Sequence, residues 1–146
     1  MSLSPDAKWA IASLATRSPV QLVLLPTGTG DAKALTNDAI DHSNARWFPD
    51  GQRFLFQGHE PNYVTRIYVQ DLVGGMPRAI SPEGVSFSTG NPISLDGRYV
   101  AAIGLDQKLW IYPVEAGEPR PVPGVAAGEI PFRWSDDHFT VRGPAW

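Results

Sequence analysis

The sequence repeats one turn motif four times, and this recurrence constrains the fold more than any other feature. The turn aspartates are Asp6, Asp50, Asp96 and Asp136, at intervals of 44, 46 and 40 residues. Each full interval holds four short strand signals, and no stretch of ten or more residues has a convincing helical apolar period. Repeats of this length built from short strands are typical of β-propeller blades.

The second repeat shows the plan most clearly. Residues 45–48 lead into a Pro-Asp-Gly turn at 49–51, and strands are predicted over 53–57, 66–71 and 78–81. Proline presets φ, aspartate bonds back to the backbone, and glycine accepts a positive φ without strain. The turn therefore suits the connection between the innermost strand of a blade and the next strand.

These repeats predict an all-β fold, a β-propeller fragment of about 3–3.5 four-stranded antiparallel blades that forms one partial domain over residues 1–146. The repeats cover about 1–36, 44–81, 92–123 and an incomplete 130–146, with further strands predicted over 8–13, 20–25, 99–103, 109–114 and 120–123. Since four to eight blades close a ring, open blade faces and edges are expected to drive self-association.

Two local predictions concern the turns and the aromatic residues. Ala7, Asp137 and His138 stand where the repeat favours Gly and Arg, so these turns are expected to be strained or of a different type. A non-glycine residue at positive φ costs on the order of 1 kcal/mol. Four aromatic residues occupy matching repeat positions and are predicted to lie in the core between blades: Trp9, Trp47, Tyr99 and Trp134.

Several segments resemble the WD40-like repeats of TolB-type propellers. The turn segments are Ser4-Pro5-Asp6, Trp47-Phe48-Pro49-Asp50-Gly51, Leu95-Asp96-Gly97-Arg98 and Trp134-Ser135-Asp136-Asp137; residues 66–72 and 108–114 match the third strand, and 74–78 and 116–120 the following turn. The chain is also similar to propeller segments attached to bacterial Ser/Thr kinases. The resemblance implies a fold and leaves the function open.

Composition excludes several classes of function. The net charge of -3 comes without a basic stripe, so no nucleic-acid partner is predicted. The chain has no cysteine for disulfides or thiolate chemistry. Apolar runs such as residues 22–25 are far too short to span a bilayer, so no membrane insertion is predicted. The chain carries no signal peptide and is expected to be soluble; its compartment is undetermined, and an extracytoplasmic location is open if it is part of a longer protein.

No catalytic, metal or cofactor site is predicted. The histidines His42, His59 and His138 are predicted in loops or at a turn, without zinc-ligand spacing. Residues 84–88 approach a Gly-x-Ser-x-Gly elbow but lack the final glycine and a following helix. Residues 28–33, Gly-Thr-Gly-Asp-Ala-Lys, match neither a phosphate loop nor a dinucleotide fingerprint. The acidic pairs show no hydrolase arrangement.

The resemblance to propellers implies where a ligand would bind. Loops from the outermost strand of one blade to the innermost strand of the next share a face with the loops joining the second and third strands. Loops on a rigid scaffold often carry function, although a solvated loop is the alternative reading at each position. The predicted binding face comprises His42, Asn44, His59, Glu60, Tyr63, Phe87, Asn91, Asp106 and Glu129.

The function predicted from these observations is a non-catalytic module that binds a protein or peptide, as the scaffold or sensor part of a larger chain. The alternative is a propeller segment of a multidomain enzyme, either a Ser/Thr kinase sensor region or a prolyl-oligopeptidase-like hydrolase, with its active site outside this chain. A third reading is a TolB-like periplasmic accessory protein.

Overall fold

A computed structural model describes residues 1–87, 90–126, 132–135 and 138–141. The chain divides into two compact units, Met1–Glu83 and Gly84–Trp146, and the prediction of a single domain stays a prediction. The strands are β1 (Ser2–Leu3), β2 (Trp9–Leu14), β3 (Gln21–Pro26), β4 (Lys33–Ala34), β5 (Asp41–Trp47), β6 (Arg53–His59), β7 (Arg66–Asp71), β8 (Arg78–Ala79), β9 (Tyr99–Ile103), β10 (Lys108–Pro113), β11 (Arg120–Ala126), β12 (Phe132–Ser135) and β13 (His138–Val141). Over the described ranges, no helix is long and apolar enough to cross a bilayer.

The first unit contains two four-stranded antiparallel sheets. Blade 1 has the strand order β1-β2-β3-β4, and blade 2 has the order β5-β6-β7-β8. Each strand pairs with its neighbour in sequence, as expected for chain segments joined by tight turns. These sheets confirm the predicted four-stranded antiparallel blades, and the outermost strands β4 and β8 each contain only two residues.

The two blades of the first unit share a hydrophobic core. Ile11 and Leu22 of blade 1 lie in one buried cluster with Trp47, Phe54 and Phe56 of blade 2. The remaining buried members are Ile40, Ala45 and Tyr68, and Trp9, Leu24, Leu35 and Leu72 pack against the cluster. The prediction that Trp9 and Trp47 belong to the core between blades is therefore confirmed. The side chain of Trp134 lies outside the described part of the structure.

The second unit contains a three-stranded sheet of order β11-β10-β9 and a hairpin of β12 and β13. Ala101, Leu109 and Ile111 are buried in the sheet, and Tyr99 is one of the half-buried residues packed against them. Two isolated bridges, Ser86 to Ile103 and Ile93 to Val100, place the preceding chain beside β9. This segment takes the place of an innermost strand, so the third blade is less regular than the first two.

The serine and aspartate of the repeat turn form the same hydrogen-bonded unit twice. Ser4 Oγ donates to Asp6 Oδ1 at 2.6 Å and accepts from the Trp9 N–H at 3.0 Å. Ser94 Oγ donates to Asp96 Oδ1 at 2.6 Å and accepts from the next strand's N–H at 3.0 Å. The pKa of each aspartate lies below its ordinary value, mainly because the serine hydroxyl donates to the carboxylate. A hydrogen bond from a backbone N–H is the second cause.

Ala7 adopts the backbone conformation that glycine adopts in the other repeats. Its φ is 57°, against 65° for Gly51 and 70° for Gly97, which confirms the strain predicted at this turn. Because the left-handed region penalises a Cβ, we expect Ala7→Gly to raise the free energy of unfolding by about 0.5–1 kcal/mol in urea denaturation. Ala32→Gly, in an exposed loop without positive φ, is the control and should be neutral or destabilising. Equal effects of the two substitutions would contradict strain at Ala7.

Strand boundaries differ from prediction mainly at the innermost strand of blade 2. Residues 66–71 and 99–103 are confirmed as strands. His42 and Asn44 were predicted in a loop, which is wrong because β5 begins at Asp41. His59 was also predicted in a loop, yet it is the last residue of β6. His138, predicted at a turn, begins β13.

The extension of β5 has a physical cause in the pairing of two strands. Asp41 lies opposite His59, and His42 opposite Gly58, so the ladder continues beyond the apolar part of the hairpin. A bulge between Ser43 and Arg46 interrupts the ladder, and Asn44 within it has φ of 52°. Asparagine tolerates this conformation better than most residues.

Candidate interaction surface

The loop between β6 and β7 exposes an apolar pair at its tip. Tyr63 and Val64 are each 58% exposed. The preceding Asn62 has φ of 69°, and the Tyr63 N–H donates to the Glu60 carbonyl at 3.0 Å to close the turn. Because both side chains are largely exposed to solvent, they add little to the core and form an apolar patch on the surface.

The base of this loop is fixed by Arg66. Its Nε donates to the hydroxyl oxygen of Tyr68 at 3.0 Å, and its Nη2 donates to Glu60 Oε1 at 3.3 Å. The pKa of Arg66 is raised, mainly by the hydrogen bond to Tyr68 and to a smaller extent by the charge of Glu60. Exposed ion pairs add little stability, so the main effect of these contacts is to restrict the loop.

A second contact joins the end of β6 to the beginning of β5. His59 Nε2 lies 3.9 Å from Asp41 Oδ2. The other carboxylate oxygen of Asp41 accepts a hydrogen bond at 3.3 Å from the N–H of Val20, which belongs to blade 1. The loop end of blade 2 is therefore attached to the turn between β2 and β3 of blade 1.

A buried glutamine holds the connection between the two blades in place. The Gln21 side-chain amide donates to the carbonyls of Pro19, Asp38 and Ile40 at 3.1–3.3 Å. Its oxygen accepts from Thr36 Oγ1 at 3.0 Å and from the Asp38 N–H at 3.1 Å. A buried amide with both ends bonded rigidifies the backbone around it. Residues 36–40 thus form a fixed platform beside the exposed loop.

His42 is a packing residue under this platform. Its side chain is fully buried, its ring centroid lies 4.5 Å from that of Phe56, and Nδ1 lies 3.0 Å from the Val20 carbonyl oxygen. Nε2 lies 3.6 Å from Asp38 Oδ2, which is beyond hydrogen-bonding distance, and has no hydrogen-bond partner. His42 therefore supports the surface from below and does not present its ring to solvent.

We name this region the Tyr63 surface. It comprises Asp38, Asp41, His59, Glu60, Tyr63 and Val64. Its carboxylates are partly exposed, and the cationic groups beside them are Arg66 and, when protonated, His59. The surface combines an apolar tip with partly exposed carboxylates, and Asp38 and Val64 were absent from the predicted binding face. The pairing of Asp41 with His59 in the β5–β6 ladder places the segment 38–41 beside the end of β6, and the sequence pattern does not reveal this register.

The structure brings some predicted binding residues together and leaves others apart. His59, Glu60 and Tyr63 lie on the Tyr63 surface, whereas Asn44 is half-buried in the β5 bulge. In the second unit, Phe87 is buried, and the side chains of Asn91 and Asp106 bond the local N–H groups of Ile93 and Lys108. Glu129 lies outside the described residues. The binding role predicted for these residues stays a prediction.

We searched the described residues for metal ligands and for the serine of the elbow-like segment. Within the ranges that the structure describes, no three His, Asp or Glu side chains are placed to hold a metal ion. Ser86 lies in a single bridge to Ile103.

Comparison with known proteins decides the fold type. No protein-family model and no curated protein matches the chain. The crystal structure of TolB from Acinetobacter baumannii matches with a TM-score of 0.66 and 26% identity, over 82% of this chain and 31% of that one. A TolB structure from Agrobacterium tumefaciens matches with a TM-score of 0.66 and 15% identity, over 82% and 47%. The chain has a TolB-type β-propeller fold.

The resemblance to TolB-type propellers predicted from the repeat is thus confirmed at the level of the fold. The chain spans about a third of one TolB structure and about half of the other. The Tyr63 surface lies in the first unit, on the β6–β7 loop, the adjoining ends of β5 and β6, and the connection before β5.

Proposed function

We propose that this chain is a non-catalytic interaction module that binds a protein or peptide partner through the Tyr63 surface. The observation that supports it is the exposed Tyr63–Val64 pair on a loop fixed at its base by Arg66. Tyrosine is enriched among residues that dominate binding energy at interfaces. A restricted loop also loses little entropy on binding. The module serves as a scaffold or sensor in a larger assembly.

The charges of the surface select the partner's chemistry. The surface carries three partly exposed carboxylates: Glu60 lies in the loop that holds the apolar pair, Asp41 lies 3.9 Å from His59 at the start of that loop, and Asp38 lies 3.6 Å from His42. Complementarity favours a segment that carries an apolar side chain next to Lys or Arg. Acidic segments would meet like charges and bind poorly.

A peptide-display selection against the immobilised chain tests this proposal. We expect enriched peptides to combine an aromatic or aliphatic residue with Lys or Arg, and to bind more weakly as salt increases. Tyr63→Ser should weaken binding by about tenfold or more, because central tyrosines contribute at least ~1–2 kcal/mol. Affinity is measured by fluorescence anisotropy with a labelled peptide.

Val73→Ser provides the matched control, since Val73 is 88% exposed in the loop after β7, away from the Tyr63 surface. Its affinity for the selected peptides should equal that of the unsubstituted chain. Enrichment of acidic peptides, or equal binding by the Tyr63→Ser variant, would count decisively against the proposal.

We also propose that the chain associates with a second copy through blade 1. Strand alternation places one set of apolar side chains on the blade 1 face that points away from the shared core: Leu3, Ala12, Leu14, Val23 and Leu25. Leu3 is 58% exposed and the others are partly exposed. Propeller blades cover such faces by packing sheet against sheet.

Light scattering across a range of concentrations tests the association. We expect the mass to increase with concentration, and Val23→Lys to restore the monomer mass because a charge in an apolar contact is costly. Val73→Lys, at an exposed loop position, should leave the association unchanged. A constant monomer mass in the unsubstituted chain would exclude it.

A further inference from the structure

A depression of about 500 Å³ that is largely open to solvent, called the cavity below, lies at the other end of blade 1 from the Tyr63 surface. It is formed where β2 begins and β3 ends, at the paired residues Trp9 and Pro26. Its volume falls in the range of small-molecule sites. The other lining residues are Lys8, Thr27, Gly28, Thr29, Gly30, Asp31 and Lys33.

The lining is rich in positive charge for a chain that is acidic overall. Two of the three lysines in the sequence, Lys8 and Lys33, lie here with one carboxylate, Asp31. In the part of the chain that the structure describes, neither lysine forms a salt bridge. Lys33 Nζ lies 5.1 Å from the centroid of the Trp9 ring, a cation–π contact that holds the ammonium over the cavity wall.

The glycine-rich bend at residues 27–30 supplies the polar rim. Thr27 ties it to the neighbouring turn, since its Oγ1 donates to the Ala7 carbonyl at 2.7 Å and its N–H donates to the Lys8 carbonyl at 3.0 Å. A Cβ placed on Gly28 would meet no atom within 4 Å, so the space beside it is open. The exposed backbone of this bend lies outside the strand ladder and offers N–H donors, although it is not a phosphate loop preceding a helix.

We propose that this cavity binds a small sugar phosphate. The phosphate lies between the ammonium groups of Lys8 and Lys33, since lysine binds phosphate as a point charge. Hydroxyl groups of the sugar bond Asp31 and Thr29. The C–H face of the sugar packs on Pro26, while the Trp9 ring holds the Lys33 ammonium beside the phosphate. The combination distinguishes this ligand from a simple anion, which would leave Asp31 facing a like charge, and from a neutral sugar, which would leave both lysines unpaired.

Titration of the 15N-labelled chain with glucose 6-phosphate, followed by NMR, tests the site. We expect saturable shifts at the Trp9 indole N–H and at the Gly28 and Thr29 amides. Glucose and inorganic phosphate are the matched probes, and each should bind at least about tenfold more weakly because it makes half of the contacts. Affinity for glucose 6-phosphate should fall as salt increases.

Substitutions at the two lysines test whether their ammonium groups bind the phosphate. Lys33→Gln and Lys8→Gln should each weaken binding of glucose 6-phosphate by about tenfold. Lys108→Gln, at the exposed third lysine on β10, should leave it unchanged. Since Lys33 is the lysine whose ammonium packs on the Trp9 ring, Lys8→Gln decides the question if Lys33→Gln disturbs the fold.

Three results would overturn the proposal. Inorganic phosphate binding as tightly as glucose 6-phosphate would reduce the cavity to a general anion site. Glucose binding equally tightly would show that the lysines contribute nothing. An absence of saturable shifts up to about 10 mM, a concentration that detects even millimolar affinity, would show that the cavity is not a ligand site.

Discussion

Replacing Phe56 by alanine should lower the free energy of unfolding by about 3–5 kcal/mol, the usual cost of deleting a buried aromatic ring. Phe56 is fully buried between its neighbours. Its ring stacks on Tyr68 at 5.1 Å and lies 5.8 Å from Phe54 and 4.5 Å from His42. The loss would be a large share of a typical domain stability of 5–15 kcal/mol.

Urea denaturation, monitored by far-UV circular dichroism, measures the effect. Val73→Ala is the control, since Val73 is 88% exposed and its truncation should change stability by no more than about 0.5 kcal/mol. Because Phe56 also supports His42 beneath residues 36–40, the Phe56→Ala variant should bind peptide less well at the Tyr63 surface. A stability loss below about 1.5 kcal/mol would show that the shared core is not centred on this ring.

Gly58→Ala should destabilise the first unit by about 1–3 kcal/mol through overpacking. A Cβ at this position would lie 2.7 Å from Ile40 Cγ2 and 2.8 Å from the Asp41 carbonyl oxygen. The isoleucine side chain can shift, but the carbonyl belongs to the β5 backbone opposite β6 and cannot move without loss of register. The substitution therefore acts on both the core and the Tyr63 surface.

The stability of Gly58→Ala is measured by urea denaturation, and its local effect by the amide shifts of Asp41 and His59. Gly28→Ala is the matched control, because a Cβ there meets nothing within 4 Å and the expected change is within about 0.5 kcal/mol. Equal stability of the two alanine variants would contradict the close packing of β5 against Gly58.

The parts of the fold that depend on local chemistry could be predicted from the residue pattern. The aspartate turns form where the repeat indicates, because Ser4, Asp6, Ser94 and Asp96 close them through contacts within five residues along the chain. The predicted apolar strands end within about two residues of the observed ends, except that β11 extends three residues further. Strain at Ala7 could be predicted because the repeat places glycine at the same position elsewhere.

The positions of the polar residues depend on contacts between distant parts of the chain and could not be predicted in this way. The first residues of β5 lack apolar alternation, and they become a strand because β6 provides hydrogen-bonding partners and Phe56 covers His42. The Tyr63 surface and the cavity at Trp9 join residues distant in sequence, through the Gln21 amide in one case and the pairing of β2 with β3 in the other. Such contacts depend on long-range register, which local residue pattern does not specify.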